Sequence, residues 1–152
     1  MRKIFVACAS ALALGACERA PEPAADSAAG PARAALSVHE AWARAADSGA
    51  MTAVYFTLAN GSAVSDTLTG ASTDAADEAG LHMSMQQGNT MHMAAVRALP
   101  VPAEDSVLFR PLGAHVMLMG LRRPLADGDT VPLTLRFVSG QTLEVRAGVR
   151  VP

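Results

Sequence analysis

The stretch that decides the fold is "LTLRFVSGQTLEVR", residues 133–146. Leu133, Leu135 and Phe137 alternate with Thr134 and Arg136, and Leu143 and Val145 alternate back after Ser139-Gly140. Period-two alternation on both sides of a glycine-containing turn predicts a β-hairpin with one buried face. Working outward, "MTAVYFTLAN" (51–60) is rich in β-branched and aromatic residues and ends at Asn60-Gly61, a turn signal. "SDTLTGAST" (65–73) predicts a weaker strand, "GAHVMLMG" (113–120) another, and "LADGDTVP" (125–132) a turn. The acidic, alanine-rich residues 74–80 predict a loop, or at most a short helix. No long segment has a 3.6-residue period. Short strands punctuated by Gly and Pro indicate an all-β sandwich or barrel. The scarce aromatics Trp42, Tyr55, Phe56, Phe109 and Phe137 are expected to fill its core.

Upstream of this domain the character changes. Arg2 and Lys3 precede an apolar run, Ile4 to Leu14, too short to span a bilayer. It ends in "LGAC", Leu14-Gly15-Ala16-Cys17, which resembles the lipobox of bacterial lipoproteins. That resemblance implies a signal peptide over residues 1–16, lipidation of Cys17 and a membrane-anchored protein of the periplasm. Residues 17–35, with "ERAPEPAADSAAGPARAA" after the cysteine, predict a disordered tether. Such a tether reaches on the order of 25 Å. The folded domain is expected over 36–152.

Cleavage before Cys17 also removes Cys8, Arg2 and Lys3, leaving 10 basic side chains against 14 acidic ones. The balance argues against nucleic acid as a partner. With no cysteine besides the anchor, the domain has no disulfide and no thiolate metal site, which excludes blue copper, iron–sulfur and structural zinc. Haem attachment through C-x-x-C-H is absent from the sequence. No Ser/His/Asp, Cys/His or paired-carboxylate arrangement suggests an enzyme.

The chemistry concentrates in "LHMSMQQGNTMHM" (81–93), which holds four of the eight methionines and two of the four histidines. A two-residue turn at Gln87-Gly88 predicts that His82 faces Met93 across a hairpin, Cβ atoms about 5 Å apart. Ser84 and Met91 share that face, and Met83, Met85 and His92 take the other, as core or surface. In the later strand, His115, Met117 and Met119 share one face. The chain thus offers two His/Met pairs. Thioether sulfur is soft and uncharged, and soft ligands select Cu(I); imidazole raises the affinity. Zinc favours thiolate or carboxylate, and calcium and magnesium want oxygen. Methionine as packing filler is the bland alternative for any one position. Jointly, Met at +11, His at +33 and Met at +35 after a histidine is a chance event of about one in several thousand at this composition. His39 stands alone and is expected to be exposed.

The spacing His82, ten residues, Met93, twenty-one residues, His115, one residue, Met117 resembles the signature of the periplasmic PCuAC copper chaperone family. "GAHVMLMGLRRPLADGDTVPLTLRF" and "AVYFTLAN" are similar to it as well, so the resemblance spans about 36–150. It implies a cupredoxin-like Greek-key β-fold and one Cu(I) held by His82, Met93, His115 and Met117. Met91 and Met119 share faces with these ligands and are expected as packing residues or as auxiliary copper contacts. The resemblance further implies copper delivery toward the binuclear copper centre of cytochrome c oxidase or to another copper chaperone. An envelope copper scavenger, or a structural lipoprotein domain using methionine only for packing, are the rival expectations.

Overall fold

A computed structural model describes residues 36–151. The expected signal peptide over 1–16, the expected lipidation site Cys17 and the expected tether to residue 35 lie outside the described residues. The fold is all-β: β1 (Leu36–Arg44), β2 (Thr52–Asn60), β3 (Asp66–Ser72), β4 (Ala76–Gln87), β5 (Thr90–Ala95), β6 (Leu99–Val101), β7 (Ser106–Phe109), β8 (Ala114–Leu121), β9 (Thr130–Phe137) and β10 (Thr142–Arg150). They form one sheet in the order β5-β4-β8-β7-β2-β1-β10-β9-β3-β6, with β8 also pairing β2. The sheet is open, since β5 and β6 end the order unpaired with each other.

The deciding hairpin forms as its alternation requires. Leu135 pairs Leu143 and Leu133 pairs Val145 in the β9–β10 ladder. Leu133, Leu135, Phe137, Val145, Ala147 and Val149 are buried together with Val54, Phe56, Leu58, Leu81, Val116 and Leu118 from the other half of the sheet. The sheet therefore wraps one core, and the apolar positions of each strand face inward while the alternate positions face out. Phe56 and Phe109 stack in it with ring centroids 4.2 Å apart.

Residues 74–80 differ in part from expectation: Asp74 and Ala75 lie in the connection after β3, but residues 76–80 open β4, a strand of 12 residues. Ala76 and Leu81 are buried, and the acidic Asp77 and Glu78 stand exposed. Acidic residues and alanines have weak strand propensity, and pairing along β8, from Ala76↔Leu121 to Met83↔Ala114, overrides it.

Trp42 is the second difference: it is half-buried, outside the core. On β1, Leu36 and Val38 pack on the core, so unbroken alternation would send Trp42 inward too. A bulge intervenes. The β1–β2 register runs His39↔Thr57 and then Trp42↔Tyr55, with Glu40 in the left-handed region at φ 54°. The extra residue flips the parity, so Ala43 is buried instead and Trp42 comes out beside Tyr55.

Candidate metal centre

The β4–β5 hairpin turns at Gly88-Asn89, with Gln87 opposite Thr90. The turn expected at Gln87-Gly88, and with it the direct pairing of His82 with Met93, is corrected. Gly88 takes φ 60° in the first turn position. Glycine first is the type II′ arrangement, whereas a turn starting one residue earlier would demand a positive φ of Gln87. In the observed register Met93 lies opposite Ser84, and His82 lies opposite Ala95. Because the slip moves every partner by two positions, face parity is preserved. Met93 still shares a face with His82, now on the diagonal.

On its other side β4 pairs β8, and His82 stands directly opposite His115. Met117 is opposite Gly80, and Met119 opposite Glu78. One outward sheet face therefore carries His82, His115, Met93, Met117, Met91 and Met119. The six residues singled out from the sequence are brought onto one face by three adjacent strands. Met83, Met85 and His92 take the reverse face.

The two imidazoles have ring centroids 5.9 Å apart, tilted by 34°. Two rings sharing one ion, each nitrogen about 2 Å from it, would have centroids about 5 to 6.5 Å apart. His115 is buried, and its Nδ1 donates to the Gly113 carbonyl at 3.0 Å. A carbonyl can only accept, so Nδ1 carries the proton and Nε2 is left with its lone pair. The same carbonyl accepts the Ser84 backbone N–H at 3.0 Å, tying β4 to the start of β8 beside the ring. His115 Nε2 and His82 Nδ1 are both buried without a hydrogen-bond partner. Buried polar atoms are ordinarily paired, so two such atoms on adjacent rings call for a ligand.

The surroundings tune these rings. Burial lowers the His82 pKa below its ordinary value, the neighbouring His115 lowers it further, and Glu78 opposes the shift. Both effects favour the neutral imidazole that a metal requires. Among the described residues no three His, Cys, Asp or Glu side chains come together. The soft donors that share this face with the two imidazoles are the thioethers of Met91, Met93, Met117 and Met119. Met93 is 54% exposed, so it is not core filler. His115 forms a buried floor, and the methionines leave one side open to solvent.

Four residues around the site were not placed there by the sequence. Tyr55 is buried against His115 at 6.2 Å between centroids and is itself covered by Trp42 at 4.7 Å. These aromatics, expected in the core, instead wall one side of the site. Gly80 leaves open the ground beside Met117, since a Cβ there would sit 3.4 Å from His82 Nε2. Met51 is exposed and immediately precedes β2, in which Ala53 lies opposite Met117. None of these has a local sequence signal, because each depends on which strands lie side by side.

The comparisons with known proteins agree with this architecture. The copper-bound PCuAC domain from PmoF2 superposes with a TM-score of 0.66 at 22% identity, covering 78% of this chain and 95% of that one. The Cu(I) form of DR1885 from Deinococcus radiodurans is 39% identical, with a TM-score of 0.59 over 76% of this chain and 80% of that one. These likenesses place the fold among PCuAC domains of cupredoxin-like, Greek-key type, as the sequence led us to expect. The "Putative lipoprotein Lxx21020" of Leifsonia xyli subsp. xyli (strain CTCB07) is 34% identical over 116 residues, 76% of this chain and 69% of that protein. The family model described as "Putative lipoprotein LpqE-like" matches residues 36–149, and the chain belongs to that LpqE-like family.

Proposed function

We propose that this protein is a copper carrier of the cell envelope that binds one Cu(I) through His82, His115, Met93 and Met117 and passes it to a partner. The observation that carries the reading is the pair of buried, unpartnered imidazole nitrogens, His82 Nδ1 and His115 Nε2, on facing rings flanked by methionines. Two neutral nitrogens and two neutral sulfurs suit a soft d¹⁰ ion, and they hold it less tightly than thiolates would. The 39% identical Deinococcus protein, whose Cu(I) form is known, supports the same chemistry here. Met91 and Met119 serve as auxiliary sulfur contacts along the ion's path.

The exposure of Met93 favours delivery over sequestration, because a ligand at the solvent side can be exchanged for one from an incoming acceptor. In this reading the acceptor is the copper-centre subunit of cytochrome c oxidase or another copper chaperone. The chain acts as a binding protein, not an enzyme. The lipobox resemblance at Cys17 and the lipoprotein relatives support a periplasmic, membrane-anchored carrier.

The test is titration of Cu(I) against a competing chelator, in a Cys8→Ser/Cys17→Ser background so that no thiol competes. Wild type is expected to bind one tight equivalent that Met93→Ala and His115→Ala both weaken. Unchanged binding in both variants would leave these methionines and histidines without a metal role. Mixing the loaded protein with apo oxidase subunit then separates delivery, which shows as metal transfer, from scavenging, which does not.

A further inference from the structure

The reverse face of the β4–β5 hairpin repeats the donor chemistry of the front. Met85 and His92 are direct partners in the ladder, and Met83 lies one same-face position inward, opposite Ala94. Direct partners have Cβ atoms about 5 Å apart, and diagonal neighbours lie about 7 to 8 Å apart, within reach of long side chains. Met85 is 52% exposed and His92 is exposed, while Met83 packs partly against the core. Of the histidines, only His39 and His115 make ring hydrogen bonds among the described residues, so the His92 imidazole is free to bind.

We propose that this reverse face is a second, weaker Cu(I) site, formed by His92 and Met85 with Met83 completing it from the core side. One imidazole and two thioethers make a neutral, soft, three-donor set that again selects Cu(I) over zinc or calcium. It holds the ion more weakly than the front site for two reasons. It has one imidazole instead of two, and its exposed side chains must be ordered on binding.

The position gives the site a role. β5 ends the sheet, with no further strand outside it among the described residues. His92 on the reverse face is flanked in sequence by Met91 and Met93 on the front face. An ion taken up at the reverse face therefore has only one strand to pass around before it meets front-face sulfur. The reverse site is a loading station for the primary one. The proposal extends the soft-metal reading but uses none of the same side chains.

The experiment is anaerobic Cu(I) titration of the full chain, carrying Cys8→Ser/Cys17→Ser, against chelators of graded strength. Wild type is expected to bind two equivalents, the second at least tenfold weaker. A Met85→Leu/His92→Gln variant should lose only the weaker equivalent, and a His82→Gln/His115→Gln variant only the tighter one. Met85 and His92 are at solvent, whereas His115 is buried and His82 half-buried, so thermal melts check that the fold is kept in each variant. A single equivalent on wild type, or a second equivalent that survives in Met85→Leu/His92→Gln, overturns the proposal. Loss of the tight equivalent in no variant, with the weak one lost as expected, would sink the front-face reading alone.

Discussion

His82 and His115 stand opposite one another on adjacent strands, and their rings lie 5.9 Å apart with one buried nitrogen on each left unpartnered. An apo protein with this arrangement pays for two desolvated polar atoms, a cost of about 1 to 3 kcal/mol for each. A shared soft cation would remove that cost, so the proposed copper binding would be coupled to stability.

Loading with Cu(I) should accordingly raise the thermal midpoint. A free ion concentration of 100 times Kd adds about 2.7 kcal/mol. Calorimetry of apo and loaded protein checks this, and the rise should vanish in His82→Gln/His115→Gln. A loaded protein melting with the apo form would contradict it.

The vacancy at Gly80 makes a sharper test, because it adds atoms instead of removing a ligand. A Cβ there reaches 3.4 Å from His82 Nε2, so alanine fits, but a branched side chain fills the ground beside Met117. Gly80→Val should weaken Cu(I) binding about 10- to 100-fold, the range seen when a site's supporting residues change. Valine suits a strand, so the circular dichroism and melting of the apo protein should be little altered.

The pH response follows from His82. Burial and then the nearby His115 hold its pKa below the ordinary value of 6.5, with Glu78 pulling the other way. Unfolding restores the ordinary value, so at mildly acid pH the unfolded chain takes up more protons than the native one. The His82 contribution to stability is therefore complete above about pH 6.5 and is lost as pH falls through the lowered native value. Proton NMR of the apo protein should show His82 titrating below 6.5, and Glu78→Gln should push it lower. A midpoint at or above 6.5 would refute the assignment.

Tyr55 tests the aromatic wall. It is buried between Trp42 and His115, so Tyr55→Ala opens one side of the buried imidazole to water. Removing an aromatic of this burial should cost about 3 to 5 kcal/mol of stability. The bound Cu(I) should also oxidise faster in air, read as the growth of a Cu(II) signal. Tyr55→Phe, which keeps the wall, should restore both.

The bulge at Glu40 is the last test. A non-glycine residue at φ 54° is strained, and a β-branched one is worse. Glu40→Val should destabilise the fold by about 1 to 3 kcal/mol, whereas Glu40→Gly should be neutral or stabilising by urea unfolding. Trp42 fluorescence reports whether the flipped parity survives.

Sequence alone determined the strand class and, through period-two alternation, which histidines and methionines share a face within residues 81–93 and within residues 113–120. Alternation is a local property, set by backbone pleating, and it survived even where the turn was misplaced by one residue. What lies next to what was decided only by the tertiary structure. The φ of Gly88 set the hairpin register, the β4–β8 ladder brought His82 against His115, and the bulge at Glu40 turned Trp42 outward onto Tyr55. Residues 76–80 read as loop for the same reason: their strand exists because β8 supplies the hydrogen bonds, and no propensity of their own encodes it. Parity is written along one chain segment, but register and neighbours are hydrogen-bonding choices between segments far apart in sequence.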